Sequence, residues 1–141
     1  AKYVDVGRTP VVVAAGVEWV DPVKWAQNRG EFLAAFEQWR ADWESLDTDR
    51  YLAHYSPRFK VDGKDIAAWG AHKRKVNAGK SWVKVAVANL SLMGVAENEN
   101  TLVVTFEQDY RSSNLSNRTV KRQYWSREGG GGRVRYENVV S

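Results

Sequence analysis

Gln108 is the one polar side chain in an alternating apolar series, Leu102, Val104, Phe106, Gln108 and Tyr110. A polar group on an inward strand face must find a hydrogen-bond partner or water. Two readings stand. Gln108 faces a ligand, with Tyr110 two positions on and sharing its face, or it is satisfied by backbone or a helix side chain. Lys121 would add a charge for a carboxylate or glycan acid if it also turns inward. Trp43, Tyr51, Tyr55 and Trp69 are candidates to line the same pocket, and core packing is their other reading. Aromatic walls suit flat apolar ligands and also stack on sugar rings.

Acid–base chemistry has two candidates. Asp47 is the nearest thing to a general base, but it lies in Leu46-Asp47-Thr48-Asp49, where helix capping is the simpler role. His54 lies close to Asp47 and Asp49, and a His–Asp pair could transfer protons. Its other reading is a histidine on an outer helix face. His72 stands in a basic exposed stretch and is given no role. The two histidines make no HxH or HExxH spacing, so no metal is expected. There is no Cys, which excludes disulfides, thiolate metal sites and cysteine nucleophiles. No Gly-x-Ser-x-Gly elbow precedes any serine. Gly129–Gly132 reads as a turn between strands and not as a phosphate cradle, so no cofactor is expected.

The elements that must position these residues follow from spacing. Trp39, Trp43, Asp47, Tyr51 and Tyr55 recur every four residues, with Phe59 next. Such spacing puts side chains on one helix face. Asp47 breaks the run into two helices. The first extends over Pro22–Leu46 behind an Asp21 cap and a Pro22 start, with a possible break at Gly30. The second runs from Thr48 through Tyr55 until Pro57 stops it. A third covers Asp65–Asn77, with Ile66, Trp69 and Val76 inward and Lys73, Arg74 and Lys75 mostly outward. Strands are expected over Ser81–Met93, Thr101–Arg111, Arg118–Arg127 and Arg133–Val140. Three helices followed by four meandering antiparallel strands is an α+β plan. Residues 1–20 read as an arm or linker with a short Val-rich strand, and residues 21–141 as one domain.

Composition adds bounds. The chain has 141 residues and a net charge of +4, with both signs mixed along it. Lys73-Arg74-Lys75 and Lys121-Arg122, with Arg111, Arg118, Arg133 and Arg135, could suggest a nucleic-acid platform near Tyr124, Trp125 and Tyr136. No RNA-binding signature accompanies them, and strand alternation spreads them over both faces, so no nucleic-acid partner is expected. No apolar run approaches the ~20 residues of a membrane span. The chain begins at Ala1, which suggests a trimmed or mature form.

The element order resembles the nuclear-transport-factor-two-like (SnoaL-like, cystatin-like) fold, a cone of curved sheet wrapped over a long helix. The pattern Trp39, Trp43, Asp47, Tyr51-Leu52, Tyr55, Phe59, then Trp69-x-x-x-Lys73 and Phe106-x-Gln108-x-Tyr110-x-Ser112, closed by Lys121 and Glu137, is similar to one branch. That branch is the C-terminal domain appended to bacterial L,D-transpeptidases and tetratricopeptide-repeat envelope proteins. The resemblance covers roughly residues 30–139. It departs where that family places a Trp in the last hairpin and this chain has Gly129–Gly132. The resemblance implies a pocket between the concave sheet face and the helix wall. It also implies a non-catalytic accessory domain of a periplasmic or envelope protein connected with peptidoglycan remodelling, with a peptidoglycan fragment or a small apolar or glycan ligand as partner. Two alternatives remain. One is a small isomerase, dehydratase or cyclase using Asp47 or His54. The other is a module that forms a homodimer through its sheet and has no ligand.

Overall fold

The computed structural model describes residues 2–6, 9–13, 22–95, 98–128 and 131–141, and side-chain burial over 29–94, 101–128 and 131–141. The expected Asp21 cap and the start of the Gly129–Gly132 turn lie outside the described residues. In chain order the elements are β1 (Lys2–Val6), β2 (Thr9–Val13), α1 (Pro22–Glu44), α2 (Thr48–Leu52), β3 (Lys60–Val61), β4 (Lys64–Asp65), α3 (Ile66–Ala78), β5 (Val83–Val95), β6 (Asn98–Ser112), β7 (Ser116–Glu128) and β8 (Gly131–Val139). The α+β plan holds: three helices precede the antiparallel meander β5-β6-β7-β8, with α1 packed on it, α2 on α1 and α3 on α2. The β1–β2 hairpin extends that sheet, with β2 parallel to β5 through Val11↔Leu92 to Val13↔Gly94.

Helix α1 runs unbroken through Gly30, where an added Cβ would meet nothing within 4 Å. Its stripe Phe32, Phe36, Trp39, Trp43 is buried and lies along the inner sheet face. Phe32 packs edge-on to Trp125 of β7 at 5.4 Å between ring centroids, Phe36 edge-on to Phe106 of β6 at 5.0 Å, and Trp43 on Tyr110 of β6 at 5.2 Å. Helix α2 is shorter than the sequence suggests. Asp47 caps it by accepting from Arg50 N at 3.2 Å, but it ends at Leu52. Residues beyond it join the sheet edge instead: Val134 N donates to His54 O and Ser56 N to Val134 O, both at 2.8 Å. Asp65 caps α3 by accepting from Ala68 N at 2.9 Å.

The sheet curls because β5 is bulged. Asn89 has φ 52°, and the pairing with β6 shifts between Ala88 and Ser91. An unpaired residue of this kind bends the strand and raises its twist. The β7–β8 pairing also shifts, with Arg135 of β8 the extra residue opposite Tyr124 and Trp125. Helix α1 also covers part of β5 directly: Val85 N donates to Glu44 Oε2 at 2.8 Å, and Arg40 Nη1 donates to Val85 O at 3.2 Å. A strand edge left open would otherwise present unpaired backbone groups.

Candidate functional site

Cross-strand register places the polar residues of the inner face side by side. Gln108 faces Thr119, Phe106 faces Lys121, and Gln123 faces Glu137. Directly opposed residues share a sheet face, so one end of the cone collects Gln108, Thr119, Lys121, Gln123, Glu137 and Tyr110. The α1 stripe supplies Trp39 and Trp43 opposite them, α2 and its C-terminal extension supply Tyr51 and Tyr55, and α3 supplies Trp69 and Lys73.

A hydrogen-bonded chain fixes the floor. Tyr55 Oη donates to Glu137 Oε1 at 2.7 Å, accepts from Trp39 Nε1 at 3.2 Å and lies 2.8 Å from Tyr51 Oη. Gln123 Nε2 donates to the same Glu137 oxygen at 3.2 Å, and Gln123 Oε1 accepts from Trp125 Nε1 at 2.9 Å. Lys121 Nζ lies 3.4 Å from Glu137 Oε2, with side chains only 9% and 6% exposed. Burial pushes the Glu137 carboxyl up, but Lys121, Tyr55, Lys73 and Gln123 together outweigh it and hold the group below the ordinary carboxylate range. Burial and then the Glu137 charge hold both tyrosine hydroxyls protonated, well above their usual value.

Cations outnumber this single carboxylate. Lys73 Nζ lies over the rings of Trp43, Tyr51 and Trp69 at 4.7, 5.3 and 5.2 Å from their centroids. Lys121 Nζ lies over the same Trp43 ring at 4.9 Å. Lys80, just past α3, lies 5.5 Å from the Tyr110 ring centroid and donates to Ser112 Oγ and Asn114 Oδ1 at 3.1 and 2.5 Å. Burial, and then repulsion from Lys121, lowers the Lys73 ammonium to about 8 against the opposing pull of Glu137. Among the described residues, Trp43 Nε1, Trp69 Nε1, Gln108 Oε1 and Thr119 Oγ1 are buried and make no hydrogen bond within the protein. The arrangement is an aromatic cage with excess positive charge, two indole donors, a hydroxyl and one amide acceptor still to be matched.

The structure thus brings together Trp43, Tyr51, Tyr55, Trp69, Gln108, Tyr110 and Lys121. The tie that Gln108 could have had to an internal partner is not made at its Oε1. Lys73 corrects the sequence expectation that it points mostly outward. Its four-carbon stem lets the ammonium reach over the rings beside it, and the Trp69-x-x-x-Lys73 spacing was the available signal. Lys80, Gln123 and Glu137 also belong to the site and were not singled out for it. Asp47 is exposed, caps α2 and pairs with Arg50 at 3.6 Å. His54 Nε2 meets Asp42 Oδ2 at 2.7 Å, and Asp42 also accepts from Gln38 at 2.9 Å. No group of three or more His, Cys, Asp or Glu residues arranged to hold a metal occurs among the described residues.

A curved meander folded over a long helix, with its polar groups gathered at one end of the concave face, defines the nuclear-transport-factor-two-like class. Residues 31–138 match the model of the Cds6 C-terminal NTF2-like domain, and the chain belongs to that family. No curated protein matches it. Among solved structures it is similar to Bd1075 of Bdellovibrio bacteriovorus, with TM-score 0.75 and 23% identity over 86% of this chain and 43% of that one. It is also similar to the K307A mutant of Pgp2, the helical cell shape determining protein of Campylobacter jejuni, with TM-score 0.72 and 22% identity over 84% and 41% of the two chains. An NTF2-like protein of unknown function from Pseudomonas putida KT2440 gives TM-score 0.68 and 14% identity over 81% and 86%. The chain spans less than half the length of the first two. No helix among the described residues is long and apolar enough to cross a membrane.

Proposed function

We propose that this domain is a non-catalytic binding module of a bacterial envelope protein, acting in the periplasm on peptidoglycan. Residues 1–20 serve as its arm or linker, and residues 21–141 as its single domain. The observation that carries the reading is the cage: three ammoniums set against one carboxylate, with unmatched indole donors beside them. An anion is the guest that such a site favours, and aromatic walls accept the faces of sugar rings. Gln108 Oε1 adds an acceptor for an amide N–H. A peptidoglycan fragment offers all three features in one molecule, since it has a carboxylate, sugar rings and amide groups. The likeness to Pgp2, described as a helical cell shape determining protein, supports the envelope setting.

The non-catalytic part rests on how the acids and bases are used. Glu137 is held ionised by four neighbours, Asp47 caps a helix, and His54 is paired with Asp42. Isothermal titration of soluble disaccharide-peptide fragments tests the proposal. Binding to the wild type, weakened at least tenfold by Lys121→Met and weakened again by raising salt, is the expected result. Equal binding by the wild type and by a Lys121→Met protein of native fold would reject it.

A further inference from the structure

Lys73 is the one cage lysine without a polar partner. Lys121 pairs with Glu137, and Lys80 is held by Ser112 and Asn114. Lys73 Nζ makes no hydrogen bond or ion pair with any described residue and rests on the rings of Trp43, Tyr51 and Trp69. Ring faces favour the charged form, because each presents its negative quadrupole to a cation. Burial and the Lys121 charge oppose this and lower the group to about 8, so it is still an ammonium at neutral pH. Its N–H donors remain without the oxygen acceptor that binds an ammonium most strongly.

The other unmatched groups have the same polarity. Trp43 Nε1 and Trp69 Nε1 can only donate, Thr119 Oγ1 can donate, and of the four only Gln108 Oε1 is restricted to accepting. They gather round one ring. Trp43 lies on Tyr110 at 5.2 Å, and both Lys73 and Lys121 lie over it. Gln108 and Thr119 oppose each other, two positions along β6 from Tyr110 and along β7 from Lys121. A carboxylate offers such a site acceptors only. A carboxamide replaces one of those oxygens with an NH2 that faces donors. The two groups differ little in size, so the choice between them is made by charge and hydrogen bonding, where a mismatched polar group is rejected strongly.

We propose that Lys73 makes the cage selective for a free carboxylate, its ammonium binding one carboxylate oxygen of the guest and rejecting the carboxamide of otherwise identical structure. The inference rests on the reading of the cage as the peptidoglycan site and names the form it takes: stem peptides whose acidic groups are not amidated. Lys73 stays an ammonium throughout, and no covalent step is involved. Lys121 keeps its pair with Glu137, so it contributes attraction at a distance while Lys73 makes the contact. Amidation of the stem carboxylates would then release the domain.

The test is isothermal titration with two disaccharide-peptide fragments of equal length, one with its stem carboxylates free and one with the same groups as carboxamides. The wild type, and Lys75→Met at an exposed position of the same helix, should bind the carboxylate form about tenfold or more tightly than the carboxamide. Lys73→Met, which keeps an apolar stem over the rings, should bring that ratio below about threefold. In the wild type alone, the Lys73 Cε protons should shift on adding the carboxylate form and hardly move with the carboxamide, a reading independent of how the variant folds. Equal affinity of the wild type for both forms would overturn the selectivity and leave the cage standing as a binding site. An undiminished ratio in a natively folded Lys73→Met protein would overturn the role of Lys73. Binding of neither form would overturn the cage as the peptidoglycan site, and the selectivity with it.

Discussion

Replacing Glu137 with Gln tests the electrostatic centre of the cage. The substitution keeps the shape and removes the charge. Glu137 Oε1 accepts from Tyr55 and Gln123, while Oε2 faces Lys121 at 3.4 Å. If the new amide keeps its oxygen toward Tyr55 and Gln123, its NH2 must face the Lys121 ammonium, donor against donor. If it turns over, Tyr55 and Gln123 lose their acceptor. Either way Lys121, 9% exposed, is left without a counter-charge. Removing one partner of a buried pair costs about 3–5 kcal/mol. At a urea slope of about 2 kcal/mol per molar, that lowers the unfolding midpoint by roughly 1.5–2.5 M. The pH dependence has a fixed sign. The folded Glu137 carboxyl lies below its ordinary value, so its contribution is complete above the unfolded value of about 4.3 and is lost as pH falls through the lower folded value. The gap between wild type and variant should therefore be widest at neutral pH and close in acid. Urea unfolding followed by tryptophan fluorescence from pH 7 to pH 3 measures it. A gap under about 1 kcal/mol at pH 7, or one that does not narrow in acid, would refute the argument.

Other perturbations have defined outcomes. Trp39→Ala, at a fully buried position packed on Phe36, Trp43 and Phe106, should lower stability by about 3–5 kcal/mol, read by thermal melting. Asp42→Ala removes the acceptor of both His54 and Gln38 and should cost about 1–3 kcal/mol at pH 7. Burial raises the Asp42 carboxyl, but its two hydrogen bonds hold it below its usual value. That stabilisation is present above about pH 3.9 and fades below it, as a urea series in acid would show. The Lys73 ammonium should titrate near pH 8 when followed by the shift of its Cε protons, and a midpoint near that of a free lysine would refute its placement in the cage. Because the folded value lies below the unfolded one, stability should rise with pH between about 8 and about 10.4.

Much of the scaffold is legible from local pattern. The alternation from Leu102 to Tyr110, the aromatic stripe of α1, and the caps at Asp47 and Asp65 each reflect interactions within a few residues, so spacing reveals them. The rest depends on pairings distant in sequence. The bond from Tyr55 to Glu137 spans 82 positions and requires the register of three strands before it can be foreseen. Lys73 sits in a Lys-Arg-Lys run that reads as a solvated face, and its inward turn depends on rings from α1 and α2. Helix α2 stops short because His54 and Ser56 bond to Val134, an edge pairing that competes with helical propensity. The bulge at Asn89 leaves a trace, the apolar phase of β5 shifting from Val83, Val85 and Val87 to Leu90 and Leu92, and β6 starts at Asn98, ahead of the expected Thr101.

The indole N–H protons of this domain report on the cage most directly. Trp39 and Trp125 already donate to Tyr55 and Gln123, whereas Trp43 and Trp69 have no partner within the protein. During titration with a soluble peptidoglycan fragment followed by proton–nitrogen NMR, the Trp43 and Trp69 indole signals should move downfield together and saturate, while those of Trp39 and Trp125 hardly move. Indole signals that stay fixed, with shifts confined to the outer arginines Arg111, Arg118 and Arg133, would contradict the cage as the binding site.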